Sequence, residues 1–401
     1  MQKEFFCITF FEKYKGETTM ADLTTHEELK DKILILANID ESPAPFVSCY
    51  LNLEDGEQSA MLAIELRAKH IRRILKGRDL IDFEESVGAI KSYVKRELLP
   101  EAKGLAYFVR SSFDKEFYMP LQFAVPLPNT LRVYPTPNIY NLIELKDTYE
   151  RYLVMIATTE WVRIIEVNLG AATVQTWSEH PGRRDRVGEG WSETQYQLFR
   201  NHRENQFLQE KIATLEKLMH NGDHSHLIIA GDPQITARIR EALTPHLNSK
   251  LMDIIPASHR DAETDIVTAT LSIFVEKEEH DSQSIADRLI QAVRTQGPAV
   301  VGAKDSLHNL QQGKVDTLVM LHDYNPDPGW ICSTCNEMGE ATPETDICPH
   351  CNSSTVRPTD LREELVRQAG KVDCPVEVVE SSDVLMELGG VGCLLRFRAD
   401  L

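Results

Sequence analysis

Four cysteines in the last third of the chain, Cys332, Cys335, Cys348 and Cys351, follow the spacing C-x2-C-x12-C-x2-C. Each C-x2-C pair sets two thiolates on one turn, and two such turns facing each other complete a tetrahedron of sulfur around zinc. Four sulfur ligands leave no coordination position for water or substrate, so the zinc this spacing predicts is structural. A redox pair or an emptied relic of a metal site is the alternative, since C-x2-C alone also suits thiol exchange. His350 lies between two of the ligands and is read as a bystander, because the cysteines already satisfy the ion. Cys7, Cys49, Cys374 and Cys393 show no pairing pattern.

A second chemical signal is RVGEGWSETQYQLFRNHRENQF, residues 186–207. Gly188 and Gly190 flank Glu189, and Trp191, Ser192 and Glu193 follow. Glycines let backbone N–H groups approach a crowded ligand, because no side chain intervenes. Around this tip stand His180, Arg183, Arg184, Arg186, Arg200, His202 and Arg203, a basic cluster in an acidic chain. Arginine meets phosphate through a planar fork, so Arg183, Arg184, Arg186, Arg200 and Arg203 are the candidate RNA contacts. The plainer reading is a solvated face whose arginines pair with Asp185, Glu189 and Glu204. Ser192 to Gln195 also reads S-x-x-Q, the capping box that opens a helix, so Gln195 is either a cap or a catalytic amide. Trp191 either stacks on a base or staples the start of that helix.

These residues need elements to carry them. TTHEELKDKILILA opens with a capping box, Thr25 with Glu28, and predicts a helix from about residue 26. FVSCYLNL alternates as a strand, helical segments cross 58–98, and LAYFVRS and FYMPLQF read as further strands, the unit ending near VYPTPNIY. RYLVMIATTEWVRIIEVNLGAATVQTW reads as β-rich runs joined by a turn at Asn168 to Gly170. The glycine loop comes next, then a helix over about 192–219 with Leu208, Ile212 and Leu215 on one face. HLIIAGDPQITARIREAL is strand, turn and helix, with Asp232 as N-cap and Pro233 at the first helical position. That turn lacks the glycine spacing and lysine of a phosphate loop. A last unit starts with a helix near residue 281, continues through AVVGAKDSLHNLQQGKVDTLVML, and closes with VEVVE and GCLLRFRA.

The fold class that follows is α/β, sheets covered by helices, in three mixed domains. The expected division is a tail or start artefact over 1–20, an N-terminal domain over 21–143 and a middle domain over 144–276 with the glycine loop at 182–193. The C-terminal domain covers 277–401, with a zinc ribbon inserted at 329–355. At 401 residues, more than one core is expected. A formal charge of −19 excludes indiscriminate nucleic-acid binding through a uniformly basic surface and leaves room for a local patch. The opening MQKEFFCITFFEKYK carries charges throughout instead of an apolar signal core, and no run approaches the roughly 20 apolar residues of a membrane span. The expected location is the cytoplasm, without membrane attachment.

The passage GAKDSLHNLQQGKVDTLVML, the cysteine insertion and the closing ELGGVGCLLRFR together resemble the C-terminal domain of archaeal and eukaryotic class-I release factors and Pelota. The hairpin-rich start, basic glycine loop, long helix and HLIIAGDP resemble the middle domain of the bacterial members of that superfamily. There the loop tends to read G-G-W-S-Q. The resemblance implies three domains: the first facing the small ribosomal subunit, the second reaching the peptidyl-transferase centre, the third docking a partner such as a translational GTPase. It also implies a ribosome and peptidyl-tRNA as partners, with Gly188, Gly190, Trp191, Ser192, Glu193 and Gln195 forming the loop that works at the ester.

Two departures stand out. Aligning Gly190-Trp191-Ser192 with G-W-S puts Glu189 where the first glycine belongs and Glu193 where the glutamine stands. An ionised carboxylate cannot donate a hydrogen bond as an amide can. The eukaryotic N-I-K-S decoding motif has no counterpart; the nearest string is Asn38-Ile39-Asp40-Glu41-Ser42. Lys69, His70, Arg72, Arg73 and Lys76 mark either an RNA-contacting helix or the charged outer face of an amphipathic one. The expectation is therefore a release-factor-like protein of termination or ribosome rescue, with peptidyl-tRNA ester hydrolysis in question. The alternatives are a non-catalytic Pelota-like binding factor and a zinc-ribbon interaction scaffold.

Overall fold

The computed structural model describes residues 22–42, 44–111, 116–158, 161–179, 193–222, 224–326, 329–335, 338–339 and 347–397, with 177, 179, 193–201 and 204 described in backbone alone. The expected tail over 1–20 lies outside the described residues. Contacts divide the chain into two compact units, Met1–Thr24 with Ser42–Pro135 and Thr25–Glu41 with Thr136–Leu401.

The first unit is an antiparallel sheet in the order β3-β2-β1-β4, made of β1 (Phe46–Asn52), β2 (Gly104–Arg110), β3 (Phe117–Phe123) and β4 (Thr130–Tyr134). The alternating residues Val47, Cys49 and Leu51 of β1 share a core with residues of two helices that follow that strand. Helix Gly56–Ile71 contributes Ala60 and Ile64, and helix Gly77–Arg96 contributes Phe83, Val87 and Ile90. Beyond the end of the first of these helices, Arg72 pairs with Glu65 and Glu84, whereas Lys69, His70, Arg73 and Lys76 are exposed.

In the second unit α1 (His26–Ala37) begins with the expected capping box: Thr25 Oγ1 accepts from Glu28 N at 3.3 Å, and Glu28 Oε2 accepts from Thr25 N at 3.1 Å. Its buried face, Leu29, Ile33 and Leu36, belongs to the same unit as residues from 136 onward, so contacts group this helix away from the strands that follow it in sequence. A Cβ built on Gly370 would stand 3.3 Å from Ala37 Cβ, which shows how closely helix Leu361–Lys371 approaches α1.

The larger sheet of this unit has the order β7-β6-β5-β8-β9. Its strands are β5 (Tyr152–Ala157), β6 (Trp161–Asn168), β7 (Ala171–Glu179), β8 (His226–Gly231) and β9 (Leu251–Pro256). β6 and β7 form the hairpin expected at Asn168 to Gly170; β5, β8 and β9 run parallel. β5 is buried on both faces, hence the unbroken apolar run YLVMIA. Leu153, Met155 and Ala157 pack with the helix Glu193–Asn221, while Tyr152, Val154 and Ile156 pack with Ile266, Val267 and Phe274 of the helix Glu263–Arg294.

That last helix runs far beyond the expected start near residue 281. The stretch EKEEHDSQ, 276–283, reads as a polar break, yet Glu and Lys are good helix formers and neither Pro nor Gly interrupts 263–294. The first half of the helix covers the larger sheet. The second half buries Ala286, Leu289 and Ile290 beside a four-stranded sheet in the order β10-β16-β11-β15. Those strands are β10 (Ala299–Val301), β11 (Val315–Leu321), β15 (Val376–Val379) and β16 (Val391–Leu395). Between β11 and β15 the chain forms a three-stranded sheet of β12 (Gly329–Cys332), β13 (Met338–Gly339) and β14 (Val356–Thr359). The molecule is thus a mixed α/β protein with several sheets. No helix among the described residues is long and apolar enough to cross a membrane.

Candidate functional site

Strand β12 sits between β13 and β14 and delivers Cys332 from its last position. The turn after it brings Cys335, and Cys348 with Cys351 comes from the opposite turn. That second turn is closed by Asn352 N donating to Cys348 O at 2.9 Å and Cys348 N donating to Ser353 O at 2.8 Å. Asn352 adopts φ +57, a left-handed conformation that asparagine tolerates. Trp330 is buried beside Cys332 and Cys348, with Cys335 and Val356 partly buried against them.

The four sulfur atoms lie within 4.8 Å of one another, so they could hold a metal ion. Cys332 Sγ and Cys351 Sγ are 3.6 Å apart, as are Cys335 Sγ and Cys348 Sγ. A disulfide would need about 2.05 Å, whereas the edge of a tetrahedron with bonds of about 2.3 Å to zinc is about 3.8 Å. The donor set and its spacing both fit the ion. Polar groups surround the sulfurs: Ser353 Oγ is 3.1 Å from Cys332 Sγ, Cys351 Sγ donates to Ser353 Oγ at 3.2 Å, and Thr334 N donates to Cys332 Sγ at 3.4 Å. The Ser353 hydroxyl, then that of Thr355, holds the Cys332 thiol down at about 5. Burial does the opposite to the isolated thiols Cys49 and Cys393, each pushed up to about 12, and to Cys374, pushed up to about 11. The chain thus separates Cys332 and Cys351, both shifted toward the thiolate, from three cysteines that behave as apolar filler.

In sequence the glycine loop follows strand β7 of the larger sheet. β7 ends at Glu179 opposite Trp161, and the next helix, α5 in a numbering that takes Gly56–Ile71, Gly77–Arg96 and Tyr140–Thr148 as α2, α3 and α4, begins at Glu193. β7 therefore ends on the side of the sheet where β5 and β8 end, Ala157 paired with Gly231. A Cβ on Gly231 would meet Ala157 O at 1.9 Å, so glycine is required for the two strands to end this close. Asp232 then caps α6 (Pro233–Ala242), accepting from Gln234 N at 2.9 Å, with Pro233 in the first turn as expected. At the same edge the Arg163 guanidinium lies 4.5 Å from the Trp161 ring centroid and pairs with Glu263.

α5 spans 29 residues, and Leu208, Ile212, Leu215 and Met219 are its buried apolar side chains among those described. His202, Asn205 and Gln206 are exposed, and Arg238 of α6 donates to Asn205 at 2.7 Å. Gly188, Gly190, Trp191, Ser192, Arg183, Arg184 and Arg186 lie outside the described residues. Glu193 is the first residue of α5 and Gln195 the third, the position that an S-x-x-Q box gives its glutamine. The side chains of Glu193, Gln195 and Arg200 are likewise outside the described set, and Arg203 is half-buried on α5. One group that nothing in the sequence singles out is His226 with Glu278 and Asp281, whose ligand atoms lie within 4.8 Å of one another.

These features define a mixed α/β chain with a glycine loop between a hairpin and a long helix and with a four-cysteine cluster. Residues 137–274 match the model of bacterial archaeo-eukaryotic release factor family 10, so the expected kinship with the release-factor superfamily is borne out over that segment. No curated protein matches the chain. Among solved structures, the chain is similar to archaeal Pelota in a model of ribosome-bound Pelota with ABCE1, at 14% identity and TM-score 0.41, covering 95% of this chain and 96% of that one. It is also similar to the archaeal translation termination factor aRF1, at 15% identity and TM-score 0.27, covering 94% of this chain and 99% of that one. A third is Dom34 of S. cerevisiae, described as a termination-like factor of RNA quality control, at 9% identity and TM-score 0.39, covering 76% and 82%.

Proposed function

We propose that this protein is a ribosome-associated, release-factor-like factor of the cytoplasm, acting in translation termination or the rescue of stalled ribosomes. The observation that carries the reading is the release-factor family match over 137–274, which takes in the hairpin, the glycine loop and α5. From Glu193 to Leu208 the helix rises about 22 Å at about 1.5 Å per residue, so the loop is followed by a long helix. Such a mount suits a loop that must reach into a narrow RNA-lined site. Backbone amides of Gly188 and Gly190 would stabilise charge on the ester carbonyl as water attacks it and the 3′ hydroxyl of the tRNA departs. Arg183, Arg184, Arg186, Arg200 and Arg203 would take the phosphates. Structural zinc would hold Cys332, Cys335, Cys348 and Cys351. The domains expected over 144–276 and 277–401 would divide the work between peptidyl-tRNA and a partner such as a translational GTPase.

A second reading, a factor that occupies the tRNA site without cleaving anything, is favoured by one observation. Glu193 is the first residue of α5, where a carboxylate is stabilised by the positive end of the helix dipole and needs no catalytic reason to be present. The test is a release assay on purified ribosomes carrying peptidyl-tRNA, alongside co-sedimentation. The catalytic reading expects peptide release by the native chain and none by Gly190→Val, both chains still pelleting with ribosomes. Pelleting without release by either supports the non-catalytic factor, and failure of the native chain to pellet overturns both.

A further inference from the structure

His226 opens β8, and Glu278 and Asp281 stand three residues apart on one face of the helix Glu263–Arg294, which would be α8 once Pro245–Lys250 is counted as α7. His226 Nε2 approaches Glu278 Oε1 to 3.6 Å. Glu278 Oε1 is buried and has no hydrogen-bond partner, so the approach is not a hydrogen bond. The other side of the ring explains why. Ser225 Oγ donates to Glu150 Oε2 at 3.4 Å and lies 2.8 Å from His226 Nδ1. A serine hydroxyl has one proton, so with it given to Glu150 the Nδ1–H must donate to Ser225 Oγ. The neutral ring then turns the lone pair of Nε2 toward the Glu278 carboxyl, whose Oε1 stands 3.6 Å away, too far for a hydrogen bond, so that a proton or a cation is what the two groups can share.

We propose that His226, Glu278 and Asp281 form a second metal site, taking one divalent cation of the zinc or manganese type. Imidazole and two carboxylates are the mixed nitrogen and oxygen donor set such ions prefer. Ligands about 2.1 Å from an ion stand roughly 3–3.5 Å apart, so atoms already within 4.8 Å need only small rotations to close on it. Lys277 Nζ occupies Asp281 Oδ1 at 2.9 Å, which leaves Oδ2 for the ion. The relay from Nδ1 through Ser225 to Glu150 is the kind of outer support that orients a ligating histidine. Two of the three ligands are on one continuous helix and the third on a central sheet, so the site is built on rigid elements. Asp281 is 45% exposed, so an ion here is reached by water and keeps open positions, unlike one closed in by four sulfurs.

This inference stands apart from the ribosomal reading. Its test is a calorimetric titration with Zn2+ of the full chain, its ribbon already filled, with total zinc per chain counted by mass spectrometry. The expected result is one further equivalent in the native chain and none in Glu278→Gln or His226→Ala, each variant keeping its ribbon zinc and its circular dichroism. Glu278→Gln is nearly isosteric and keeps the test readable if His226→Ala fails to fold. Saturation of the native chain at the ribbon alone, or a further equivalent retained by either folded variant, overturns the site.

Discussion

In the sheet of β5 to β9, strand residues pointing to either side meet helices. Leu153 and Met155 meet Ile212 and Leu215 on one face, and Val154 and Ile156 meet Val267 and Phe274 on the other. Among the described residues, the three-stranded ribbon buries Trp330, Ile331, Cys332, Met338 and Cys348. These few side chains do little to offset the conformational entropy of ordering the backbone, which costs about 1–2 kcal/mol per residue, and a bound metal ion would make up the difference. The lesson is that two cation sites in this chain would play opposite parts. At the ribbon the ion would replace a core. At His226 it would sit on elements that the apolar core already holds.

Removing the ribbon ligands should separate the two regions most. Cys335→Ser, or chelation of the native chain, should abolish ribbon zinc and release the amides of 329–332 and 356–359 to hydrogen exchange while 152–157 and 227–231 keep their protection. Unchanged exchange in the ribbon would mean that its order does not depend on metal. The converse change is Leu215→Ala. Leu215 is fully buried, and the variant should lose about 2–5 kcal/mol of unfolding free energy, with ribbon zinc still at one equivalent; a loss well under 1 kcal/mol would show that the helix is not held by this core.

The smallest effect concerns the helix that follows the ribbon, Leu361–Lys371, α10 when Ala303–Gln311 is α9. Its Glu363 accepts from Ile139 N at 2.8 Å and from Tyr140 N, and burial, then Asp360, pushes its carboxyl from 4.5 up to about 8. A carboxyl raised on folding binds its proton more tightly in the native state. Its contribution is therefore most favourable below about pH 4.5 and declines as pH rises toward about 8. Glu363→Gln should flatten that part of the stability-against-pH curve, measured by urea unfolding at several pH values; an unchanged slope would show that Glu363 stays ionised in the fold.

Much of the local structure was legible in particular residues. Thr25 and Glu28 cap α1, Asp232 and Pro233 start α6, and the turn at Asn168 to Gly170 closes the hairpin as read, because caps and turns depend on atoms within a few residues. The cysteine cluster was legible for the same reason, since each pair has only two residues between its cysteines and only the meeting of the pairs is non-local. The continuation of α8 through EKEEHDSQ was not, because a polar stretch looks alike whether it is a linker or the solvent-facing middle of a helix anchored at both ends.

What the sequence by itself determined is the chemistry that neighbours in the chain can hold: helix starts, the hairpin, the sulfur ligands, the glycine and arginine content of 182–193. What only the tertiary structure decided is which distant elements share a core and which charges meet inside it. Contacts group α1 with residues beyond 136 although it precedes β1, and they bring His226 to Glu278 and Asp281 across more than fifty residues of chain. The physical reason is range: hydrogen-bonded caps and metal-binding turns are satisfied locally, whereas burial of an apolar face depends on whatever surface the rest of the chain presents to it.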